Sequence, residues 1–262
     1  DTIKNGCSYA FVDEKEFADG KKIIYVENVL ETLQKLANHH RKVLNTPIIG
    51  ITGTNGKTTT KELIAAVLKK KYKTLYTQGN LNNHIGVPLT LLRLNESHEV
   101  AIIEMGANHP GEIKTLVEIV EPNYGIITNV GKAHIEGFGS FEGVIKTKCE
   151  LYDFLEMNRG TVFVNKGNDI LFAKTTNIEK VIEYGNCTEF SATIESNNPF
   201  LVLNWDNSTI KTNLIGSYNA ENIMASVAIG ISFNVDKKDV VDAIEGYTPQ
   251  NNRSQFKETA YN

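Results

Sequence analysis

Cysteine, proline and tryptophan are scarce in this chain, whose 262 residues include three cysteines, six prolines and one tryptophan. Cys7, Cys149 and Cys187 are odd in number and far apart, and no Cys-x-x-Cys pair is present. This pattern excludes a disulfide scaffold and a cysteine-based zinc site. A reducing compartment is the simplest setting, and we expect a cytoplasmic protein.

Long apolar runs and a strong charge of either sign are also lacking. No apolar run approaches the ~20 residues of a membrane span, and no basic segment followed by an apolar core opens the chain, so we expect no membrane partner. The formal net charge of −4 gives no global attraction to nucleic acid. Any phosphate ligand must therefore be held by a local site.

Short apolar segments alternate with amphipathic ones along most of the sequence. This alternation predicts a doubly wound α/β domain with a mostly parallel sheet. The predicted strands are 23–26, 48–52, 74–77, 100–105, 124–130 and 161–164, and the predicted helices begin near 30, 58, 87, 111 and 141. Four later β-rich runs, 180–184, 190–194, 200–203 and 209–214, predict a small antiparallel edge, and helices are expected at 219–231 and 237–244.

A glycine-rich loop follows the predicted strand 48–52 and opens a helix. In that position backbone N–H groups and a helix N-terminus can bind phosphate oxygens, with Lys57 reaching the β- and γ-phosphates and Thr58 placing a hydroxyl on Mg²⁺. The general phosphate-loop pattern requires glycine where this chain has Ile51. The alternative is a turn that only caps a helix.

Two further candidates follow neighbouring predicted strands. Glu104 ends the apolar run that begins at Val100, and His134 lies just past the strand that begins at Tyr124. Ligands of open α/β sheets bind at the carboxyl edge of the strands, so Glu104 could hold Mg²⁺ and His134 a second metal ion. The alternatives are a solvated carboxylate and a histidine that only forms hydrogen bonds.

Lys148 is an anomaly in the helix predicted at 141–156, because it falls on the apolar face. That face carries Val144, Ile145, Leu151, Tyr152 and Leu155, whereas Lys146 points elsewhere. Such a lysine either extends its ammonium group to water or is desolvated with a lowered pKa. The pattern alone favours the first reading. A neutral amine could instead react with CO₂ and give a carbamate that shares a metal ion with His134.

Asparagine-rich segments supply the remaining candidates. The loops 79–88 and 106–112 contain amides able to bind a peptide or sugar, although the same residues are common in turns. Asn219 and Asn222 lie three residues apart at the start of a helix, where Asn219 could be only an N-cap. Arg253 is either a surface charge or a nucleotide contact.

Taken together, these motifs resemble the Mur ligases of peptidoglycan synthesis. The resemblance is carried by TGTNGKTT at 52–59, GNLNNHIGVP at 79–88, EMGANHPGE at 104–112 and AHIEGFGS at 133–140. A phosphate loop without the early glycine is typical of that family. The segments 79–88, 104–112 and 133–140 together resemble most closely the members that add D-alanyl-D-alanine.

The resemblance implies roles for individual residues. ATP phosphates would be held by Gly53, Thr54, Asn55, Gly56, Lys57, Thr58 and Thr59. Asn219 and Asn222 would lie on the adenine side of the nucleotide, and Arg253 would contact the nucleotide from the hinge before the C-terminal domain. One Mg²⁺ would be held by Thr58 and Glu104, and a second by His134 and a carbamylated Lys148. Acceptor contacts would come from Asn80, Asn82, Asn83, Asn108 and His109. Arg253 follows Asn252, where several relatives have glycine.

The implied reaction joins D-Ala-D-Ala to UDP-N-acetylmuramoyl-tripeptide at the expense of ATP, by a monomeric enzyme. By the same resemblance, residues 1–45 would end an N-terminal substrate domain, 46–252 form the ATP-binding domain and 253–262 begin a truncated C-terminal domain. Sister ligases that add one amino acid and folylpolyglutamate synthetases remain alternatives. A P-loop nucleotide switch is the alternative from another class.

Overall fold

The computed structural model describes residues 2–132 and 135–249, which contain eleven strands and nine α-helices. The strands are β1 Ala10–Val12, β2 Ile23–Tyr25, β3 Ile48–Thr52, β4 Thr74–Tyr76, β5 Val100–Glu104, β6 Tyr124–Ile127, β7 Thr161–Asn165, β8 Lys180–Tyr184, β9 Thr193–Asn197, β10 Leu201–Trp205 and β11 Ser208–Lys211. The helices are α1 Val29–Leu44, α2 Lys57–Leu68, α3 Gly86–Leu91, α4 Glu112–Val120, α5 Ile135–Phe138, α6 Phe141–Met157, α7 Asp169–Ala173, α8 Asn219–Ser232 and α9 Lys237–Glu245.

A six-stranded parallel sheet forms the centre, with the strand order β4-β5-β3-β6-β7-β8. All five residues of β3 and all five of β5 are buried. Strands covered on both faces read as continuous apolar runs, which is why this part of the sheet was predictable. Because β3 lies between β5 and β6, the loops after these three strands meet at one edge.

Helices cover both faces of the sheet and create two apolar cores. On one side α2, α8 and α9 pack on residues such as Ile49 and Ile51, and on the other α1, α3, α4 and α6 pack on residues such as Ile48 and Ile103. Neighbouring residues of a strand point to opposite faces, so β3 contributes to both cores. The predicted doubly wound α/β fold is confirmed.

The predicted role of residues 180–184 was wrong, because β8 does not belong to an antiparallel edge. It pairs in parallel with β7 along its full length, and Thr161 opposes Lys180. A parallel pair needs a connection of about a dozen residues or more, and the segment between β7 and β8, with its unpredicted helix α7, supplies one.

The antiparallel strands form a separate small sheet with the order β11-β10-β9. It packs on the α8 side of the domain through Leu201, Leu203 and Trp205. The N-terminal strands β1 and β2 form a further parallel pair. Within the described part of the chain, none of the helices has the length and apolar character needed to span a membrane.

Candidate functional site

The loop between β3 and α2 has a shape that only glycine allows at two positions. Gly56 precedes the first helical residue with a φ of 79°, and Gly53 has a φ of 141°. A side chain at Gly53 would collide with Oγ1 of Thr128, and one at Gly56 would contact the amide of Asn222. The two glycines therefore bring the loop backbone close to its neighbours and leave its N–H groups at the start of a helix.

Residues after β6 hold this loop in place. Oγ1 of Thr128 donates to the Asn55 carbonyl at 2.6 Å, and Oδ1 of Asn129 accepts from the Asn55 N–H at 3.0 Å. The N–H of Gly131 donates to Oγ1 of Thr54 at 2.9 Å. Thr128 and Asn129 were not predicted as site residues, although their position at the end of a predicted strand was the available signal.

Lys57 lies over the loop that precedes it. Its Nζ donates to the carbonyls of Gly53 at 2.8 Å and Thr54 at 3.0 Å. This places a positive charge beside the N-terminus of α2, whose dipole also favours anions. Such an arrangement can bind phosphate oxygens, and the role of Lys57 in phosphate binding stays a prediction.

Glu104 ends β5 next to this loop and is almost completely buried, with 1% of its surface exposed. The hydroxyl of Thr58 lies 3.4 Å from its Oε1, and the amide of Asn82 donates to the same oxygen at 2.9 Å. A solvated carboxylate at a strand end, the alternative reading, is therefore wrong. The structure brings Thr58 and Glu104 together as predicted.

Lys61 lies beside Glu104 and was not predicted from the sequence as a site residue. It lies one helical turn after Lys57, is fully buried, and places Nζ 3.5 Å from Oε2 of Glu104. The signal available in the sequence was its i, i+4 spacing from the phosphate-loop lysine, which puts both on one side of α2.

Lys148 is buried in α6 and does not extend to water. Only 3% of its surface is exposed, and its Nζ donates to the Ala107 carbonyl at 3.3 Å and lies 5.5 Å from the centre of the Phe138 ring. Burial chiefly, with help from the charge of Lys57, lowers the pKa of Lys148 from 10.5 to about 8. The reading that the pattern favoured, an ammonium group in solvent, was wrong.

One cavity of about 520 Å³ opens between the phosphate loop and the loops after β4 and β5. Its lining includes several of the predicted phosphate and acceptor residues, together with Lys148. These are Gly53, Thr54, Lys57, Asn82, Asn83, Asn108 and Lys148. Four separate parts of the sequence, the phosphate loop, the loops after β4 and β5, and α6, therefore converge on one space.

Some predicted acceptor residues have local structural contacts. Oδ1 of Asn83 accepts from the N–H groups of Ile85 and Gly86, as expected of a turn residue. Asn80 and His109 are exposed and are not among the residues that line the cavity, and Nδ1 of His109 lies 3.6 Å from Glu112. The turn reading is thus right for Asn83, although this residue also borders the cavity.

Asn219 and Asn222 are buried against α2. The amide of Asn222 donates to Asn219 at 2.9 Å, and its Oδ1 accepts from the Thr60 hydroxyl at 3.0 Å. Tyr218 occupies the cap position of α8, so Asn219 is the first helical residue and the N-cap reading was wrong. The pair links α8 to the helix that carries the phosphate loop.

Replacing Asn222 by alanine is expected to lower the free energy of unfolding by about 1–3 kcal/mol, because the buried Thr60 hydroxyl and the Asn219 amide each lose a partner. Urea unfolding followed by circular dichroism measures the change. Asn177→Ala, at an exposed position, is the control and should change stability by less than about 0.5 kcal/mol. Equal effects of the two substitutions would contradict this role.

His134 and Arg253 lie outside the described residues, so their predicted roles stay predictions. Thr59 is half-buried in the first turn of α2. Among residues 2–132 and 135–249, no three His, Cys, Asp or Glu side chains cluster to hold a metal ion. The first predicted Mg²⁺ site does not depend on such a cluster, because it would use only one carboxylate, that of Glu104, together with the Thr58 hydroxyl.

A glycine loop between a central strand and a helix, with a buried carboxylate at the end of the next strand, defines an α/β domain of the nucleotide-binding P-loop class. The family model for the Mur ligase middle domain matches residues 51–230. This match covers more than half of the chain. The chain belongs to the Mur ligase family.

Individual relatives agree with this assignment. The chain is 34% identical over 229 residues to the UDP-N-acetylmuramoyl-tripeptide–D-alanyl-D-alanine ligase of Bacillus subtilis, covering 86% of the chain and 50% of the relative. For the Haemophilus influenzae enzyme of the same name the identity is 35% over 253 residues, covering 93% of the chain and 55% of the relative.

Solved structures show the same likeness. The crystal structure of MurF from Acinetobacter baumannii has a TM-score of 0.89 and 31% identity, covering 99% of this chain and 58% of that one. MurF from Thermotoga maritima in complex with ADP has a TM-score of 0.83 and 25% identity, covering 98% and 61%. The chain spans about half the length of the curated relatives that it matches.

Proposed function

We propose that the complete protein is an ATP-dependent ligase that joins D-Ala-D-Ala to UDP-N-acetylmuramoyl-tripeptide during peptidoglycan synthesis. The observation that carries this proposal is the single cavity shared by the phosphate loop and the two asparagine-containing loops. A ligase of this kind needs the γ-phosphate and the acceptor carboxylate side by side. The names of the relatives, and the ADP bound by the Thermotoga maritima protein, support the same reaction.

The phosphate half of the cavity would position ATP. The loop N–H groups and Lys57 would bind the phosphates, and Asn219 and Asn222 would support the adenine side by fixing α8 against α2. The terminal carboxylate of the tripeptide would attack the γ-phosphate and form an acyl phosphate, and the amine of D-Ala-D-Ala would then displace phosphate. Such a reaction asks the protein mainly for positioning and charge neutralisation.

The residues present are suited to Mg²⁺. The hydroxyl of Thr58 and the carboxylate of Glu104 are hard oxygen donors, and their oxygens lie 3.4 Å apart beside the phosphate loop. Lys148, once carbamylated, would supply oxygens for a second ion together with His134. When bound, Mg²⁺ neutralises charge on the transferred phosphoryl group.

The acceptor peptide would occupy the half of the cavity bordered by Asn82 and Asn108. The uridine nucleotide and the dipeptide would be bound mainly by parts of the protein on either side of residues 46–252. In this proposal 1–45 ends the N-terminal substrate domain and 253–262 begins the C-terminal one. We place the protein in the cytoplasm as a monomer.

Phosphate release by the complete protein tests the proposal. With ATP, Mg²⁺ and UDP-N-acetylmuramoyl-tripeptide, we expect phosphate release that depends on D-Ala-D-Ala. Release that depends on a single amino acid would indicate a sister ligase, and release that depends on glutamate and a folate would indicate a folylpolyglutamate synthetase. Slow hydrolysis that needs no acceptor would indicate a nucleotide switch.

A further inference from the structure

Lys61 is buried without the contacts that normally accompany a buried charge. Its side chain has no exposed surface, and among the described residues neither its Nζ nor Oε2 of Glu104 has a hydrogen-bond partner. Its nearest charged atoms are Oε2 of Glu104 at 3.5 Å and Oε1 of Glu62 at 4.0 Å. The ammonium group therefore faces carboxylates.

Stability alone gives a poor reason for this lysine. Removing an ammonium group from water costs far more than burying an apolar side chain, and a buried ion pair can often be replaced by apolar residues without loss of stability. Other fully buried residues of the same helix, such as Leu63 and Ile64, are apolar. A methionine would fill a similar volume at a smaller free-energy cost of burial.

The two oxygens of Glu104 have different environments. Oε1 receives the Thr58 hydroxyl and the Asn82 amide, whereas Oε2 faces Lys61. Thr58 and Lys61 lie three residues apart on one rigid helix, so the group beside Oε1 and the group beside Oε2 have a fixed separation. The backbone of Glu104 is held separately, because its N–H donates to Thr77 at 3.0 Å.

We propose that Lys61 is a positioning residue that retains Oε2 of Glu104, so that Glu104 offers only Oε1 to the metal ion. This inference rests on the proposed function, in which Thr58 and Glu104 hold Mg²⁺. Mg²⁺ requires near-octahedral coordination at short distances, whereas Ca²⁺ accepts carboxylates through both oxygens. By preventing two-oxygen coordination, Lys61 makes the site selective for Mg²⁺ over Ca²⁺.

The test is Lys61→Met in the complete protein. Mg²⁺ and Ca²⁺ affinities are measured in the presence of ADP by displacement of Mn²⁺, followed by electron paramagnetic resonance. Loss of a residue that orients a metal ligand typically weakens binding ~10- to 100-fold. We expect that loss for Mg²⁺ and a clearly smaller one for Ca²⁺. Lys70→Met, at an exposed position two residues beyond the end of the same helix, should change neither affinity.

Equal losses for the two ions would overturn the inference, because a merely structural lysine has no reason to discriminate between them. A crystal structure of the unmodified protein with Mg²⁺ and ADP gives a second test that does not depend on the folding of a variant. We expect one bond between Mg²⁺ and Oε1 of Glu104. Coordination through Oε2, or through both oxygens, would overturn this inference but leave the proposed function standing. Failure of the unmodified protein to bind Mg²⁺ with ADP would overturn the proposed function as well.

Discussion

Lys57→Ala is expected to reduce ATP-dependent ligation by the complete protein ~10²- to 10³-fold, the usual cost of losing one group that stabilises charge in the transition state. Lys57 places its ammonium group beside the N-terminus of α2, where the β- and γ-phosphates would lie. Alanine removes the charge but keeps the helix, because alanine is the best helix former. Coupled measurement of ADP release gives the rate.

Lys70→Ala is the control, since Lys70 is exposed just beyond the far end of the same helix. Its rate should stay close to that of the unmodified protein. Near-normal turnover of Lys57→Ala would rule out the phosphate-binding role and, with it, the assignment of the cavity to ATP.

Lys148→Ala is expected to cause a loss of similar size, ~10² or more, because the proposed carbamate would no longer supply negative oxygens to the second metal ion. Short carboxylic acids such as acetate should restore part of the activity, since they can enter the space that the side chain leaves and provide the missing oxygens. Activity is measured against acetate concentration.

The control is Lys146→Ala on the same helix, because Lys146 is exposed and lies only two residues away. This variant should keep its activity and should not respond to acetate. Lys148→Ala with normal activity, or with a loss that no carboxylic acid relieves, would contradict the carbamate.

Carbamate formation has a pH dependence whose range follows from the burial of Lys148. Only the neutral amine reacts with CO₂, and the pKa of Lys148 is lowered to about 8. At a fixed concentration of dissolved ¹³CO₂, the ¹³C NMR signal of the carbamate should therefore increase as the pH rises through about 8. A signal that is independent of pH, or equally strong in Lys148→Ala, would contradict this origin.

Much of the fold was predictable because burial on both faces of the sheet leaves a direct mark in the sequence. Strands β3 and β5 appear as apolar runs; the phosphate loop follows β3 immediately, and Glu104 ends β5. The parallel pairing of β8 was not predictable in this way, because short β-rich runs do not reveal the direction of their partner. The parallel pairing requires the connection that contains α7, and this helix of five residues is too short to show a clear helical periodicity in the sequence.

The site shows the same limit. The periodicity of α6 places Lys148 on an apolar face, but whether its ammonium group reaches water depends on Ala107 and Phe138, which come from other segments. Lys61 was missed because its partner, Glu104, is distant in sequence and becomes a neighbour only when β5 pairs with β3. Contacts of this kind are tertiary and leave no local pattern.

The hydrogen bonds from Thr128, Asn129 and Gly131 to the phosphate loop have a thermodynamic consequence. They order the loop when the domain folds, so the conformational entropy of that segment is lost before any nucleotide arrives. Binding of a phosphate then need not immobilise the backbone that receives it, and preorganisation of this kind increases affinity. The segment after β6 would thus contribute to nucleotide affinity through the loop that it holds.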